Sequence, residues 1–397
     1  MELDEAQTMA WRQGRHRLAT APDDPSPAPG TAQNSAVAEV VDRMVALRAW
    51  PERSAEAAIR IRRASAGCPS NSAGDGLPAP AAPPASGVLA AAQEDSSIIR
   101  SYALRGGSYF FTPVRGANLL SVRAATKIWA SPRFQKQASF SIDDWQPLRE
   151  AVHGACSLGP RTREEISTQV LAEPTLSHLQ LGLSGAGADS LYKPLHWWGD
   201  ICFGPTRDGQ ATFRWLADDP AWPGLPPAHE AGVQAMGDYM HSYGPVTRAN
   251  LHYWFTEGLG VRRAQLEEWM TALGDELVPV TVAGSEAFVL AADLDDIRST
   301  QQVETLLFLP SFDPWLLGPG TADTRIIAAS RRAVASRGAN TIVHNGFVVG
   351  TWKTVAHEVR ISWFAEAGAL PQSLLDEQVQ VLGRTLNREL TAVLTTG

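Results

Sequence analysis

Apolar residues at Val37, Val41, Met44, Val45 and Ala49 recur at helical spacing, and Ser35 stands where a cap belongs, so a helix is predicted there. From Ile98 to Thr112 the chain is apolar and partly aromatic; the pattern starts as a helix and ends as a strand at Tyr109–Phe111. Asp143–Cys156 and His229–His241 read as helices. Ile201-Cys202-Phe203 and Ala211-Thr212-Phe213-Arg214-Trp215 flank Asp208-Gly209, a hairpin signal. Leu277–Val282 and Ala287–Leu290 flank a second turn at Ala283-Gly284-Ser285-Glu286. Toward the end, Thr305–Leu309, Thr341–His344, Phe347–Trp352 and His357–Phe364 read as strands, with Asn345-Gly346 as a type I′ turn. Pro371 to Leu394 reads as a closing amphipathic helix with Leu374, Leu375, Val379, Leu382, Leu386 and Leu390 inward.

Two stretches interrupt this order. Ala21–Asn34 carries prolines at 22, 25, 27 and 29, and Ala64–Gln93 is rich in Ala, Pro, Gly and Ser. Neither has the bulky apolar content to bury, so both are expected to be linkers. A repeat follows: residues 159–166 and 244–251 both read Gly-Pro-x-Thr-Arg-x-x-aliphatic. In each, Gly-Pro ends one helix, Thr caps the next, and Arg lies in its first turn. Helix, turn, helix and then hairpin is the element order of a winged helix-turn-helix, and here it occurs twice.

Composition narrows the function. The 397 residues suggest two or three domains, and an apolar fraction of 44% is that of a globular chain. Cys68, Cys156 and Cys202 form no Cys-x-x-Cys pair, which excludes a zinc ribbon and a disulfide framework. His153, His178, His196, His241 and His252 lack metal-like spacing with carboxylates, so no metal and no other cofactor is expected. No apolar run is long enough to span a membrane, and the acidic start (Glu2, Asp4, Glu5) is no secretory signal, so a cytoplasmic protein is expected. The net charge of −8 argues against nonspecific coating of nucleic acid, but it is an average of unlike parts. Residues 1–140 hold 16 Lys/Arg against 12 Asp/Glu, whereas 141–397 hold 18 against 30. The early basic residues are mostly arginine, which suits bidentate phosphate contact; a solvated face is the plain alternative.

Several segments together resemble the AlkZ/YcaQ-type family of winged-helix DNA-binding proteins, which includes bacterial DNA glycosylases. They are Val41–Ile61, Arg100-Ser101-Tyr102-Ala103-Leu104-Arg105-Gly106-Gly107, Lys193-Pro194 through Cys202-Phe203-Gly204-Pro205, and Tyr243-Gly244-Pro245-Val246-Thr247. The most specific are Leu309-Pro310-Ser311-Phe312-Asp313-Pro314-Trp315-Leu316-Leu317-Gly318 and Val348-Val349-Gly350-Thr351-Trp352-Lys353. The resemblance implies an α+β fold: tandem winged helix-turn-helix units, then a small β-barrel-like domain with a closing helix, embracing duplex DNA. The expected division is a disordered or loosely attached segment over 1–34 and a first winged-helix-like unit over 35–140 carrying the 64–93 insertion. A second unit is expected over 141–225, a third over 226–300, and the β-barrel-like domain with its helix over 301–397. The chain is expected to act as a monomer on damaged or alkylated double-stranded DNA, in repair or self-resistance.

The resemblance also implies chemistry. Family members hydrolyse the N-glycosidic bond of alkylated or crosslinked bases with a Gln-x-Gln or Gln-x-Asp motif, whose side-chain oxygen aims a water at the anomeric carbon. Here that tripeptide is Arg48-Ala49-Trp50. Arginine and indole only donate hydrogen bonds, and a cation at Arg48 repels a positive sugar. Tyr109 stands where the family commonly has His. Glu52 and Glu56 are the nearest carboxylates and the candidate replacement bases; otherwise they are surface glutamates. Arg48 and Trp50 are candidates to grip phosphate and stack a base, or are ordinary boundary residues. Arg53, Arg60, Arg100, Arg105, Tyr109, Arg163 and Arg248 complete the candidate DNA contacts. The alternatives for these are structural: Arg100 and Arg105 pairing with Glu94 or Asp95, and Arg163 and Arg248 serving their own helices. Trp197, Trp198, Trp254 and Trp352 are expected in packing, and Asp313 is expected to hydrogen-bond its own turn rather than to catalyse. Two functions remain open on these residues: a monofunctional DNA glycosylase, and a catalytically silent winged-helix lesion binder or regulator.

Overall fold

The computed structural model describes residues 1–19, 33–65, 87–138, 140–183, 189–386 and 388–395. Most of the two expected linkers lies outside these residues. The chain divides into two compact units: Met1–Val88 with Gly237–Trp254 and Leu273–Gly397, and Leu89–Met236 with Phe255–Ala272. Each unit is assembled from separated stretches of chain.

Among the described residues, two sheets lie wholly within the first unit. Leu277–Val282 and Ser285–Leu290 form a hairpin, and Glu2–Leu3 adds to it in parallel with Thr281 and Val282. The turn is only Ala283-Gly284, both at positive φ, so Ser285 and Glu286 belong to the strand and not to the turn. The first 19 residues are therefore not loosely attached. Asp4 accepts a hydrogen bond from the Gln7 amide (2.8 Å) and caps the helix Glu5–Arg15. Trp11 then packs with Leu3, Val280, Val282 and Ile297, and Met9 packs with Leu309, Trp315 and Val343. The basic residues obscured this helix in the sequence, because Arg12 is itself buried: it donates to the carbonyls of Gly244 and Pro245 at 3.3 Å each.

The helix Gln33–Arg43 stops before Met44, and Val45 adopts φ 63°, which a helix does not tolerate. Ser35 thus lies inside the helix rather than capping it, and Ala49 lies beyond it, although Val37, Val41, Met44, Val45 and Ala49 are all buried as expected. A short strand, Leu47–Arg48, leads to the helix Glu52–Ser65. The C-terminal sheet runs Leu306–Leu309, Asn340–His344, Phe347–Val355, Glu358–Trp363 and Thr391–Thr395, in that spatial order. Asn345 and Gly346 take the positive φ of a type I′ turn. Among the described residues no ladder joins the two outer strands, so this is a sheet with two edges rather than a closed barrel. The closing helix is Gln372–Leu386, shorter than expected. Leu390 precedes a last strand that pairs in parallel with Glu358–Trp363. Leu375, Val379 and Leu382 pack the helix against Leu306, Phe308, Ile342 and Ile361.

The second unit contains the first copy of the repeat. A short 3-10 turn precedes the helix Trp145–Cys156, and Thr162 caps Arg163–Leu171 in a reciprocal capping box with Glu165. The hairpin Ile201–Phe203 and Thr212–Trp215 follows, and Arg161–Thr162 pairs with Phe213 and Thr212. Asp208 and Gly209 take positive φ at its tip. The helix Val88–Glu94 falls inside the second expected linker; Val88, Leu89 and Ala92 are buried and anchor it. Ile98–Thr112 does not begin as a helix. Ile99–Tyr102 and Ser108–Phe111 form an antiparallel hairpin around Leu104-Arg105-Gly106-Gly107. The inward residue Ser101 disguised the strand, because it is polar yet fully buried, bonded to His196 Nδ1 at 2.8 Å. The unit's strands run Ser108–Phe111, Ile99–Tyr102, Ile201–Phe203, Thr212–Trp215, Arg161–Thr162.

The second repeat is built like the first. The helix Ala228–Tyr243 ends at Gly244-Pro245, and Thr247 caps Arg248–Leu251 with Asn250 as its reciprocal partner. A π-helical stretch His252–Leu259 and the helix Arg263–Leu273 then lead to the hairpin 277–290.

Candidate nucleic-acid interface

In the first unit the strand Leu47–Arg48 and the start of the helix Glu52–Ser65 place Arg48, Trp50, Glu52 and Arg53 in one short stretch. Arg48 is half-buried; its Nε donates to the Trp50 carbonyl at 3.1 Å, and its guanidinium lies 4.4 Å from the Phe312 ring centroid. Among the described residues its two terminal amino groups have no protein partner. Trp50 is 67% exposed. Glu52 and Arg53 are exposed on the first turn. Glu56 is different. It pairs with Arg60 at 3.5 Å and is largely covered, in part by Gly87, where a Cβ would come within 2.7 Å of its Oε1. Of the two candidate bases, only Glu52 meets solvent freely.

The family-like segment 309–318 is the platform under this stretch. Asp313 accepts from the Trp315 amide (2.9 Å) as the cap of Pro314–Leu317, the expected turn-holding role. Its two oxygens also take the Arg62 guanidinium at 2.8 and 2.7 Å, with both side chains fully buried. Arg62 was not singled out in the sequence, yet it follows Ala55, Ala58 and Ile59 on the buried face of its helix, at helical spacing. Phe312, also missed, takes φ 60° and sits over Gly338, where a Cβ would meet its ring at 2.5 Å. Ser311 Oγ and Ser54 Oγ share a hydrogen bond of 2.8 Å. Gly318 leaves room for the Tyr243 ring, 1.9 Å from where a Cβ would stand, and its carbonyl accepts from the Tyr239 hydroxyl at 3.0 Å. In the other family-like segment, Trp352 Nε1 donates to the Leu309 carbonyl at 3.0 Å.

Buried charge is concentrated nearby in the same unit. Arg325 bonds Asp323 (2.6 Å), Asn250 (2.8 Å) and the Pro245 carbonyl (3.1 Å). Burial pushes the Asp323 carboxyl up, but hydrogen bonds and charge from Arg325, with the charge of Arg12, hold it below its ordinary value. Burial, with Arg325 second, lowers Arg12 to about 10. His16 is buried between Tyr243 and Trp315, and burial, then Arg62 and Arg12, keep it well below its usual range. Arg248 is exposed, 5.4 Å from the Phe288 ring centroid.

In the second unit Arg100 lies 4.6 Å from the centroid of Phe203, and Arg163 lies 5.5 Å from that of Phe213. Arg105 is half-buried at the hairpin turn with φ 52°. Tyr109 is buried, on a strand where Phe110 and Phe111 are covered as well. Trp197 and, in the first unit, Trp254 and Trp352 are buried in packing, whereas Trp198 is half-buried against Trp129 and Trp145. Burial raises the thiols of Cys156 to about 11 and Cys202 to about 12, so neither is a ready nucleophile. Among the described residues no three His, Cys, Asp or Glu side chains come together as a metal site, and no helix is long and apolar enough to cross a membrane.

This α+β arrangement is that of a DNA glycosylase. The structure superposes on Streptomyces sahachiroi DNA glycosylase AlkZ with a TM-score of 0.85 and 25% identity, covering 100% of both chains. An interstrand DNA cross-link repair glycosylase of the same organism is 29% identical over 296 residues, which are 73% of this chain and 79% of that protein. The model of the family described as "DNA glycosylase AlkZ-like" matches residues 80–385, and the chain belongs to that family.

Proposed function

We propose that this chain repairs alkylated or crosslinked duplex DNA by hydrolysing the bond between base and sugar. The observation that carries the reading is the full-length correspondence with a DNA glycosylase, together with a relative named for cross-link repair. Two copies of a helix, turn, helix and hairpin order, which we read as tandem winged helices, support it. In the first repeat the strand Arg161–Thr162 pairs with the outer strand of the hairpin, and in the second Val246 bridges to Phe288, so each hairpin serves as a wing.

An N-alkylated purine is cationic and departs as a neutral base, so the protein need not protonate it. What remains is to orient water and to stabilise positive charge on the sugar. Neither Arg48 nor the Trp50 indole accepts a proton. Glu56 is committed to Arg60, which leaves the exposed Glu52 carboxylate as general base. The donor-only pair at 48 and 50 favours a second reading, a silent lesion binder.

Incubation with N7-alkylated duplex DNA, followed by measurement of free base and alkali-labile abasic sites, separates the two. The expected result is base release that Glu52→Gln lowers by about 100-fold or more and Glu56→Gln leaves largely intact. Salt-dependent binding without release would establish the silent binder.

A further inference from the structure

We infer that Arg48 and Trp50 form a preset contact for one unstacked nucleotide, the guanidinium taking its phosphate and the indole its base; this rests on the reading that the chain binds DNA. Single exposed aliphatic side chains are ordinary on protein surfaces. Trp50 is not one of these. At 67% exposure it is the only aromatic among the strongly exposed large apolar residues of the described chain. An indole left in water forfeits more burial than almost any other side chain.

The backbone at Trp50 and the Arg48 side chain are tied to the segment 311–313. Its carbonyl accepts from Arg48 Nε at 3.1 Å, and Pro51 follows it directly. Arg48 lies on Phe312 at 4.4 Å. Phe312 is seated over Gly338, and Asp313 beside it is bound through both oxygens to the buried Arg62. The Ser54–Ser311 hydrogen bond ties the helix start to the same segment.

The result is a guanidinium held by its Nε and its face, with both terminal amino groups free of protein partners among the described residues. That edge offers two parallel donors to a pair of oxygens, the geometry phosphate accepts. Its rotamer cost is already met, because the stack and the Nε bond hold it before any ligand arrives. The indole two residues along the chain supplies a π-face, which every nucleobase accepts and which a base within an intact duplex cannot reach. The pair therefore prefers DNA in which a base has left the stack, as at a lesion, over regular duplex.

The test uses two short duplexes of the same sequence, one perfect and one with a single bulged guanine, with affinities read by fluorescence anisotropy across a salt series. The wild-type protein is expected to prefer the bulged duplex. Trp50→Ala should cut that preference about tenfold while leaving affinity for the perfect duplex nearly unchanged. Trp50→Phe should retain much of it, because a ring remains. Arg48→Ala should weaken both duplexes alike and reduce the salt slope by about 1. The proposal is overturned if Trp50→Ala keeps the preference, or loses both affinities equally. It is also overturned if Arg48→Ala leaves the slope unchanged. Wild-type protein that binds neither duplex would remove the DNA-binding reading itself, whereas normal binding with an unaffected preference would remove only this contact.

Discussion

Removing the carboxylate of Asp313 should be among the most damaging single changes outside the exposed surface. Asp313→Ala deletes both carboxylate acceptors of the Arg62 guanidinium, leaving it, among the described residues, with the Ala58 carbonyl at 3.1 Å as its remaining hydrogen-bond acceptor. Breaking a buried pair by removing one partner costs about 3–5 kcal/mol, because the other charge stays buried without compensation. The Trp315 amide also loses its cap, worth about 1 kcal/mol. Against a total stability of roughly 5–15 kcal/mol this is a large fraction. With a urea dependence of about 1–3 kcal/mol per molar, the midpoint should fall by about 2 M. Urea titration gives the size of the loss, and hydrogen exchange over Leu306–Leu309 and Asn340–His344 places it in the first unit. Asp313→Ala combined with Arg62→Met should recover most of the loss, since an apolar replacement for a buried pair is often neutral. A midpoint shift below about 0.5 M for Asp313→Ala would refute the reasoning, as would a double variant no more stable than the single one.

His16 and His196, one in each unit, are both buried and held well below their usual pKa, first by burial. Between the folded pKa and about 6.5 the unfolded chain binds protons that the folded chain refuses, so stability is full above pH 6.5 and falls as the pH drops below it. The expected loss is about 1.4 kcal/mol per pH unit for each histidine, read by denaturation at pH 7 and pH 5.5; a flat profile would contradict it. In the repeats, Thr162→Ala and Thr247→Ala should each cost about 1 kcal/mol in thermal or urea unfolding while the serine variants stay near wild type; equal losses for Ala and Ser would remove the capping argument.

The legible parts of the chain were those where local chemistry and burial agree. Gly-Pro-x-Thr-Arg located two helix starts, because Gly-Pro stops one helix and threonine caps the next. Asp208-Gly209 and Asn345-Gly346 located two turns by their need for positive φ. The parts misread are those where a polar residue is buried. Arg12 made an inner helix look like a loose leader, and Ser101 broke the alternation of an inner strand. Leu390 continued an apolar rhythm into a segment that pairs as a strand, because the sheet edge at Glu358–Trp363 offers hydrogen bonds that the helix end does not. For the candidate site, the sequence placed Arg48, Trp50 and Glu52 together. The fate of Glu56 depended on Gly87, about thirty positions away, and the support of Arg48 on Phe312; neither contact leaves a periodic trace.

A ribosome makes Glu5–Arg15 long before the groups that cover it. The carbonyls that receive Arg12 come 232 and 233 residues later, the strand that pairs with Glu2–Leu3 follows them, and Thr305, which bonds Gln13, comes 292 residues on. At about 5–20 residues per second that interval lasts roughly ten seconds to a minute. The second unit draws its last stretch from Phe255–Ala272 and can close before the C-terminal sheet exists. Through that wait Met9 and Trp11 ride on a short helix whose later core partners, Val280, Val282, Leu309, Trp315 and Val343 among them, are not yet made. Glu5–Arg15 thus precedes by more than 230 residues several of the groups that cover it.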